Sequence, residues 1–312
     1  MTDAKERVRP IFTADNLFLE QVEKGLTDSN YRVREKWSIR CDFIPTPEQV
    51  ERGLTDENWC VRLAWTRRQD FTPTSEQVER GILDENPDIR TAWALRMDFT
   101  PTPEQIERGL TDIDHYVRQP FASRTDFTPT PIQAERGYTD THWKVRQIWA
   151  SRTDVTPTPE QIERGLKDPD KWVRMTWADR KDFIPTPEQL ERGLMDHEGN
   201  VRWVWALRMD FTPTPEQIER GLTDEYELVR AKWAERMDFT PTPEQIERGI
   251  NDVSYEVVLA WALRKDIMWT KARIQRGLQH PDRGVRSAWE QAVQRQNARN
   301  NECCESVIIS TI

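Results

Sequence analysis

A 28-residue unit recurs in register along almost the whole chain and sets Trp37, Trp65, Trp93, Trp149, Trp177, Trp205, Trp233, Trp261 and Trp289 on one lattice. In its best-kept copies the unit reads Asp-Phe-Thr-Pro-Thr-Pro-Glu-Gln-Ile-Glu-Arg-Gly-Leu-Thr-Asp, then a variable stretch, then Val-Arg, two free positions, Trp-Ala, one free position and Arg. Repeats of this length are single supersecondary units that bury an apolar face only by stacking, and the stack presents long surfaces rather than an enclosed active site. The period therefore constrains the fold more tightly than length does. The 312 residues would otherwise suggest two domains, but the repeat crosses every plausible boundary without a linker, so one elongated domain is expected.

The stretch Asp42 to Gln69 shows how one unit should fold. Thr46 can N-cap a helix, Pro47 suits its first position, and Gln49 completes a capping box. Val50 and Leu54 share a face, while Glu48 and Arg52 are spaced for an i, i+4 pair. Gly53 either ends this helix or lets another helix approach closely. Asp56 is the expected N-cap of a second helix, on which Val61, Ala64, Trp65 and Arg68 form one stripe with Trp65 as the core anchor. The Thr-Pro segment that follows cannot continue a helix. The expected fold is all-α: an α-solenoid, or superhelix, of about ten 28-residue two-helix repeats, on the order of 100 Å long at the usual spacing of packed helices.

The units begin near Ala14, Asp42, Asp70, Asp98, Asp126, Asp154, Asp182, Asp210, Asp238 and Asp266. Residues 14–293 are thus read as a single solenoid, with 14–41 and 266–293 as degraded capping repeats. Residues 1–13 form an N-terminal extension, and 294–312 a C-terminal tail expected to be disordered. Hydrophobic content of 36% and a mean hydropathy of -0.83 suit a thin core shared between repeats, and the regular tryptophans argue against disorder in the body of the chain. The formal charge of -9 comes without a polybasic block, which favours a basic partner over nucleic acid or anionic lipid. Cys41, Cys60, Cys303 and Cys304 show neither disulfide nor metal spacing, so the expected location is the cytoplasm or a host cytosol. No signal peptide or membrane span is read.

The segment Asp56 to Arg62, an aspartate followed six residues later by the arginine of a Val-Arg pair, resembles the inter-repeat ladder of HEAT repeats. The wider pattern, Val-Arg before a Trp-Ala helix and then a Thr-Pro turn, is similar to the leucine-rich repeat variant family over roughly Ala14 to Val293. These resemblances imply scaffolding and protein binding, with nucleic-acid binding in some HEAT-like members. Val258 stands where the ladder arginine belongs and His280 where the aspartate belongs. The iron-sulfur site of one leucine-rich repeat variant finds no cysteine cluster here.

Arg52, Arg62 and Arg68 recur as columns, each with a nearby acid (Glu48, Asp56 and Asp70), and structural pairing is their expected role. The Glu51 column has no evident local partner and is read as a solvated acidic edge. Stacked tryptophans are expected in the core rather than on a ligand. Recognition should instead use positions the repeat leaves free, the equivalents of Cys60, Leu63 and Arg67, which fall on one stripe of the second helix. Along that stripe the candidate partner-binding residues are Tyr116, Lys144, Trp172, Met175, Trp203, Leu207, Leu228 and Glu235. One region departs from the pattern: Pro120 falls inside a second helix, Phe121 replaces the lattice tryptophan, Ile132 the glutamate, Ala134 the core isoleucine and Tyr138 the core leucine. A kinked helix and a change of curvature are expected between about Asp112 and Trp143. His115, His142, His197 and His280 form no ligand or nucleophile motif, and no nucleotide-binding fingerprint occurs. No cofactor or metal is expected. The reading is a non-enzymatic scaffold for a protein or peptide, with a nucleic-acid-binding solenoid as the alternative.

Overall fold

The computed structural model describes the backbone of residues 14–309 and the side chains of residues 18–299. The extension at 1–13 and the thiols of Cys303 and Cys304 lie outside the described residues. Twenty helices and no strands occur among the described residues, and contacts divide the chain into two compact units, Met1–Val155 and Thr156–Ile312, where a single solenoid is expected from sequence. The first unit carries α1 (Ala14–Leu26), α2 (Tyr31–Ser38), α3 (Pro47–Leu54), α4 (Trp59–Thr66), α5 (Ser75–Ile82), α6 (Pro87–Leu95), α7 (Pro103–Leu110), α8 (His115–Ser123), α9 (Pro131–Tyr138) and α10 (Trp143–Ser151). The second carries α11 (Pro159–Gly165), α12 (Lys171–Asp179), α13 (Pro187–Leu194), α14 (Gly199–Ala206), α15 (Pro215–Leu222), α16 (Glu227–Glu235), α17 (Pro243–Ile250), α18 (Tyr255–Leu263), α19 (Lys271–Leu278) and α20 (Arg283–Ile309).

Odd-numbered helices open as the sequence indicates. Thr46 Oγ1 accepts from the Gln49 N–H at 3.3 Å and Gln49 Oε1 accepts from the Thr46 N–H at 3.0 Å, a complete capping box that recurs through α17. The even-numbered helices start two residues later than expected: the cap of α4 is Asn58, whose side chain accepts from the Cys60 N–H, and not Asp56. Asp56 is drawn off to the Asn58 N–H and to the arginine of the preceding repeat.

The lattice tryptophans from Trp65 to Trp289 are buried, as expected, and Trp37 in the first repeat is only half-covered. Each faces the glycine of its own repeat so closely that an added Cβ would sit 2.1 Å from Trp65 at Gly53 and 2.2 Å from Trp233 at Gly221. No glycine has a positive φ and α3 runs past Gly53 to Leu54, so of the two expected roles the structure uses close approach and not helix ending. In each unit the even-numbered helices of consecutive repeats pack side by side. α8 runs unbroken through Pro120 with nine residues, the same length as α6 and α10, and buried Phe121 fills the tryptophan slot against Gly109. The expected tail does not begin with a helix end either: α20 continues across residue 294 to Ile309.

Gly221→Ala should destabilise the protein by about 1–3 kcal/mol, the usual range for an overpacked core, because the indole of Trp233 has no space to yield. A denaturant midpoint unchanged from wild type would refute the close-approach role.

Candidate functional site

The residues held constant by the repeat are consumed by three ties between neighbouring repeats. In the first, Arg62 Nε and Nη2 reach Asp84 of the next repeat at 2.8 and 3.0 Å, while Nη1 donates to the Asp56 carbonyl at 2.9 Å. The same geometry joins Arg34 to Asp56, Arg90 to Asp112 and Arg118 to Asp140 in the first unit, and Arg174 to Asp196, Arg202 to Asp224 and Arg230 to Asp252 in the second. The resemblance to an inter-repeat ladder is correct in kind, and the partner of each arginine is the aspartate 22 residues on rather than the one six residues before it. Bidentate hydrogen bonding to the carboxylate holds Arg202 above its ordinary pKa, with the bond to Asp224 as the main cause, and Arg62 is raised in the same way by Asp84.

The second tie corrects two expectations. Arg52 bonds Glu23 of the preceding repeat and not Glu48, and Glu51 accepts from Gln77 Nε2 at 3.0 Å and pairs with Arg80. The Glu51 column is therefore no solvated edge. Gln77 uses its carbonyl oxygen on its own N-cap and its amide on Glu51, so one side chain both starts a helix and binds the neighbour. These carboxylates titrate below the ordinary glutamate range, Glu51 through the Gln77 bond first and Glu163 to about 2 with Lys167, Gln189 and Arg192 around it.

The third tie is a buried guanidinium. Arg236, 1% exposed, donates from Nη1 to the carbonyls of Ala206 and Arg208 at 3.1 and 2.6 Å, from Nη2 to that of Phe211 at 3.4 Å, and bidentately to Asp238. Its carbon lies 4.6 Å from the Phe211 ring centroid and 5.2 Å from that of Trp233. The expected pairing of Arg68 with Asp70 is present, as one part of this larger arrangement.

Among the candidate binding residues, Tyr116, Trp172 and Glu235 are exposed, and Lys144, Met175, Trp203, Leu207 and Leu228 are half-buried. Tyr116 and Lys144 belong to the first unit and the other six to the second. The middle position of the stripe is the least accessible, because adjacent even-numbered helices pack over it: Leu63 and Ala231 are buried. Within the curvature candidates, Ile132 is exposed whereas Pro120, Phe121 and Tyr138 are buried. Sequence reasoning missed the apolar residues of the inter-helix turns, Ile113 and Val253, both almost fully exposed.

It also missed a pairing in the divergent stretch. His115, the first residue of α8, and His142, the N-cap of α10, stack with ring centroids 3.7 Å apart, flanked by Tyr116 and Trp143. Their offset of 27 residues, one period less one, is the signal that brings first-turn residues of adjacent repeats together, and Lys171 meets Glu198 at the same offset. His142 Nδ1 accepts from the Lys144 N–H at 3.3 Å, in a position where other repeats use Asn58 or Asn86. Burial, then the facing His115, lower the His142 pKa below its ordinary value of 6.5; Asp140 opposes, and Arg118 and Arg146 add repulsion. Asp114 lies 3.8 Å from His115 Nδ1, and Lys144 sits over the Trp143 ring. Protonation of His142 at Nδ1 would delete the cap and place a cation at a helix N-terminus, where the dipole disfavours it.

No set of three metal-ligating side chains that could hold an ion occurs among the described residues, and no helix among them is long and apolar enough to cross a membrane. A group with a lowered folded pKa binds fewer protons when folded, so its contribution to stability is complete above the unfolded value and is lost as pH falls through the folded one. Stability should therefore decline from about pH 6.5 downward, and His142→Asn, which restores the usual cap, should reduce that decline. Urea midpoints measured across this range decide it; an equal decline in the variant would assign the loss to other groups.

No known family profile and no curated protein matches the chain. It is similar to a solved structure described as a leucine-rich repeat variant with a novel repetitive protein structural motif, at a TM-score of 0.48 and 24% identity, over 74% of this chain and 82% of that one. The assignment as an all-α protein of two-helix repeats stands on the helices themselves.

Proposed function

We propose that the protein is a non-enzymatic scaffold that binds a protein or peptide across the even-numbered helices of its second unit. The observation that carries this reading is the division between engaged and free positions. Ladder, glutamate and buried-arginine columns are spent on neighbouring repeats, whereas Trp172 is 43% exposed on the first turn of α12 with nothing in the repeat requiring it there. Met175, Trp203, Leu207 and Leu228 add partly accessible apolar surface on α12, in the middle and at the end of α14, and on α16. Aromatic side chains of this kind bury about 150–250 Å² each and dominate interface energetics. The formal charge of -9 favours a basic partner, and the free thiols of Cys41 and Cys60 suit a reducing compartment such as the cytosol.

Phosphate binding through the arginine columns is the weaker reading, because those guanidiniums are already held by carboxylates and carbonyls. Trp172→Ala and Trp203→Ala should each weaken capture of the native partner at least about tenfold, a hot-spot loss, while the helical circular dichroism persists. Undiminished capture by both folded variants would defeat the proposal, and direct binding of nucleic acid, falling steeply with added salt, would favour the phosphate reading instead.

A further inference from the structure

The ladder is interrupted at its last junction in the second unit. Where Arg202 and Arg230 reach the aspartate of the next repeat, the corresponding positions hold Val258 and His280. Val258 is buried and supplies no donor for the Asp252 carbonyl, which would be the counterpart of the Asp224 carbonyl held by Arg230 at 2.7 Å. A cavity of about 400 Å³ lies at this junction, with Ile250, Val258, Pro281 and Trp289 as its apolar walls. That volume is within the range of small-molecule sites, which are mainly apolar with a few placed polar groups.

The polar groups on its walls are unequal in what they have left to offer. Asp252 is occupied, with both carboxylate oxygens taken by Arg230 at 2.8 Å. His280 Nδ1 accepts from the Asp282 N–H at 3.1 Å, which leaves Nε2 of the neutral ring as a donor. Arg273 and Arg276 line the same cavity and share one carboxylate, Glu247, at 3.2 and 2.6 Å. Trp289 is 1% exposed, and its buried Nε1 has no acceptor among the described residues. At Gly277 the closest atoms of Trp289 are Cδ2, Cε2 and Cγ, as at Gly137 the ring carbons of Trp149 and not its nitrogen come closest.

We propose that the interrupted rung is a binding site for a carboxylate attached to a small apolar body, the carboxylate taking hydrogen bonds from His280 Nε2 and the Arg273–Arg276 pair beside the Trp289 ring. The apolar body packs on Ile250, Val258 and Pro281. A free aryl or alkyl acid and the C-terminal carboxylate of a peptide ending in an apolar residue offer the same chemistry.

Hydrocinnamate serves as the probe for the first source and N-acetyl-alanyl-phenylalanine for the second, with hydrocinnamamide as the uncharged control. Binding to the intact chain is followed by calorimetry and by the indole N–H resonance of Trp289 in nitrogen-15 spectra. That resonance is assigned with Trp289→Phe, a replacement the lattice already accommodates at Phe121. Either carboxylate should move the resonance, and the amide should bind at least about tenfold more weakly, as loss of one charge-assisted hydrogen bond implies. Val258→Arg/His280→Asp, which rebuilds the rung in the cavity, should lower the affinity at least about tenfold and raise the denaturant midpoint. The proposal is overturned if neither carboxylate moves the wild-type resonance at millimolar concentration, if the amide binds equally well, or if the folded double variant binds as wild type does. The comparison of carboxylate with amide by calorimetry needs no variant to fold.

Discussion

The structure depends on a guanidinium buried with every donor used. Arginine has five N–H groups, and Arg236 spends two on Asp238, two on the carbonyls of Ala206 and Arg208 and one on that of Phe211. Burying a charge costs several kcal/mol unless it is fully paired, so this side chain tolerates no vacancy among its acceptors. Those acceptors are the end of α14, the turn after it and the aspartate that opens the following repeat. The end of one even-numbered helix is thereby bonded to a residue one repeat later, and the positive charge lies where the helix dipole favours it. A lysine could supply the charge but not the planar fork that meets five acceptors.

That demand explains the period better than apolar packing alone would. The guanidinium carbon lies over the rings of both Phe211 and Trp233, so the Asp-Phe pair and the Trp-Ala pair are fixed relative to each other by one cation. Trp233 in turn needs a neighbour without a Cβ, which sets Gly221. Insertion of one residue between any two of these would move an acceptor away from a buried donor. The glutamate tie acts nearer the surface: Arg220 and Glu191 are each roughly two-fifths exposed, so the pair adds register at modest energetic weight.

Local features were legible in the sequence because their partners are local. The Thr-x-x-Gln capping boxes, the tryptophan core and the pairing of Arg68 with Asp70 all lie within a few residues. What sequence reasoning assigned wrongly was nearly always a partner in another repeat. Glu48 looked like the mate of Arg52 at four residues, yet Glu23, 29 residues away, holds it. The Glu51 column looked free for the same reason. Asp56 looked like a helix cap because an aspartate before a helix usually is one, but Arg34 and the Asn58 N–H compete for its carboxylate and Asn58 takes the cap. Offsets of 22, 26 and 29 residues carry this information, and they become readable only once the side-by-side packing of equivalent helices is known. The stacked histidines, 27 residues apart, belong to the same class. At Pro120 packing acts on a local signal: a proline inside a helix costs about 3 kcal/mol in isolation, but α8 is held on both sides by α6 and α10 and continues through it.

Because each junction has several ties, one local feature can change without separating the repeats, as happens at two sites. At His142 an asparagine-type cap is exchanged for an imidazole while Arg118 still bonds Asp140 beside it. At Val258 and His280 the ladder rung is lost, but Glu247 still joins Arg273 and Arg276 across the same junction. The buried pin is also replaced there. The residue 28 positions after Arg264 is Ala292, and the Ala262 carbonyl instead accepts from Arg295 at 3.1 Å. Arg295 lies on the part of α20 that extends beyond the last repeat, and Gln296, one residue further, exchanges two hydrogen bonds with the Trp269 backbone. The helix crosses the repeat boundary near residue 293 with a structural consequence: its continuation supplies the cation and the amide that hold the final repeat. Freed from the rung, that junction is where the lattice can accommodate a ligand without loosening its spine.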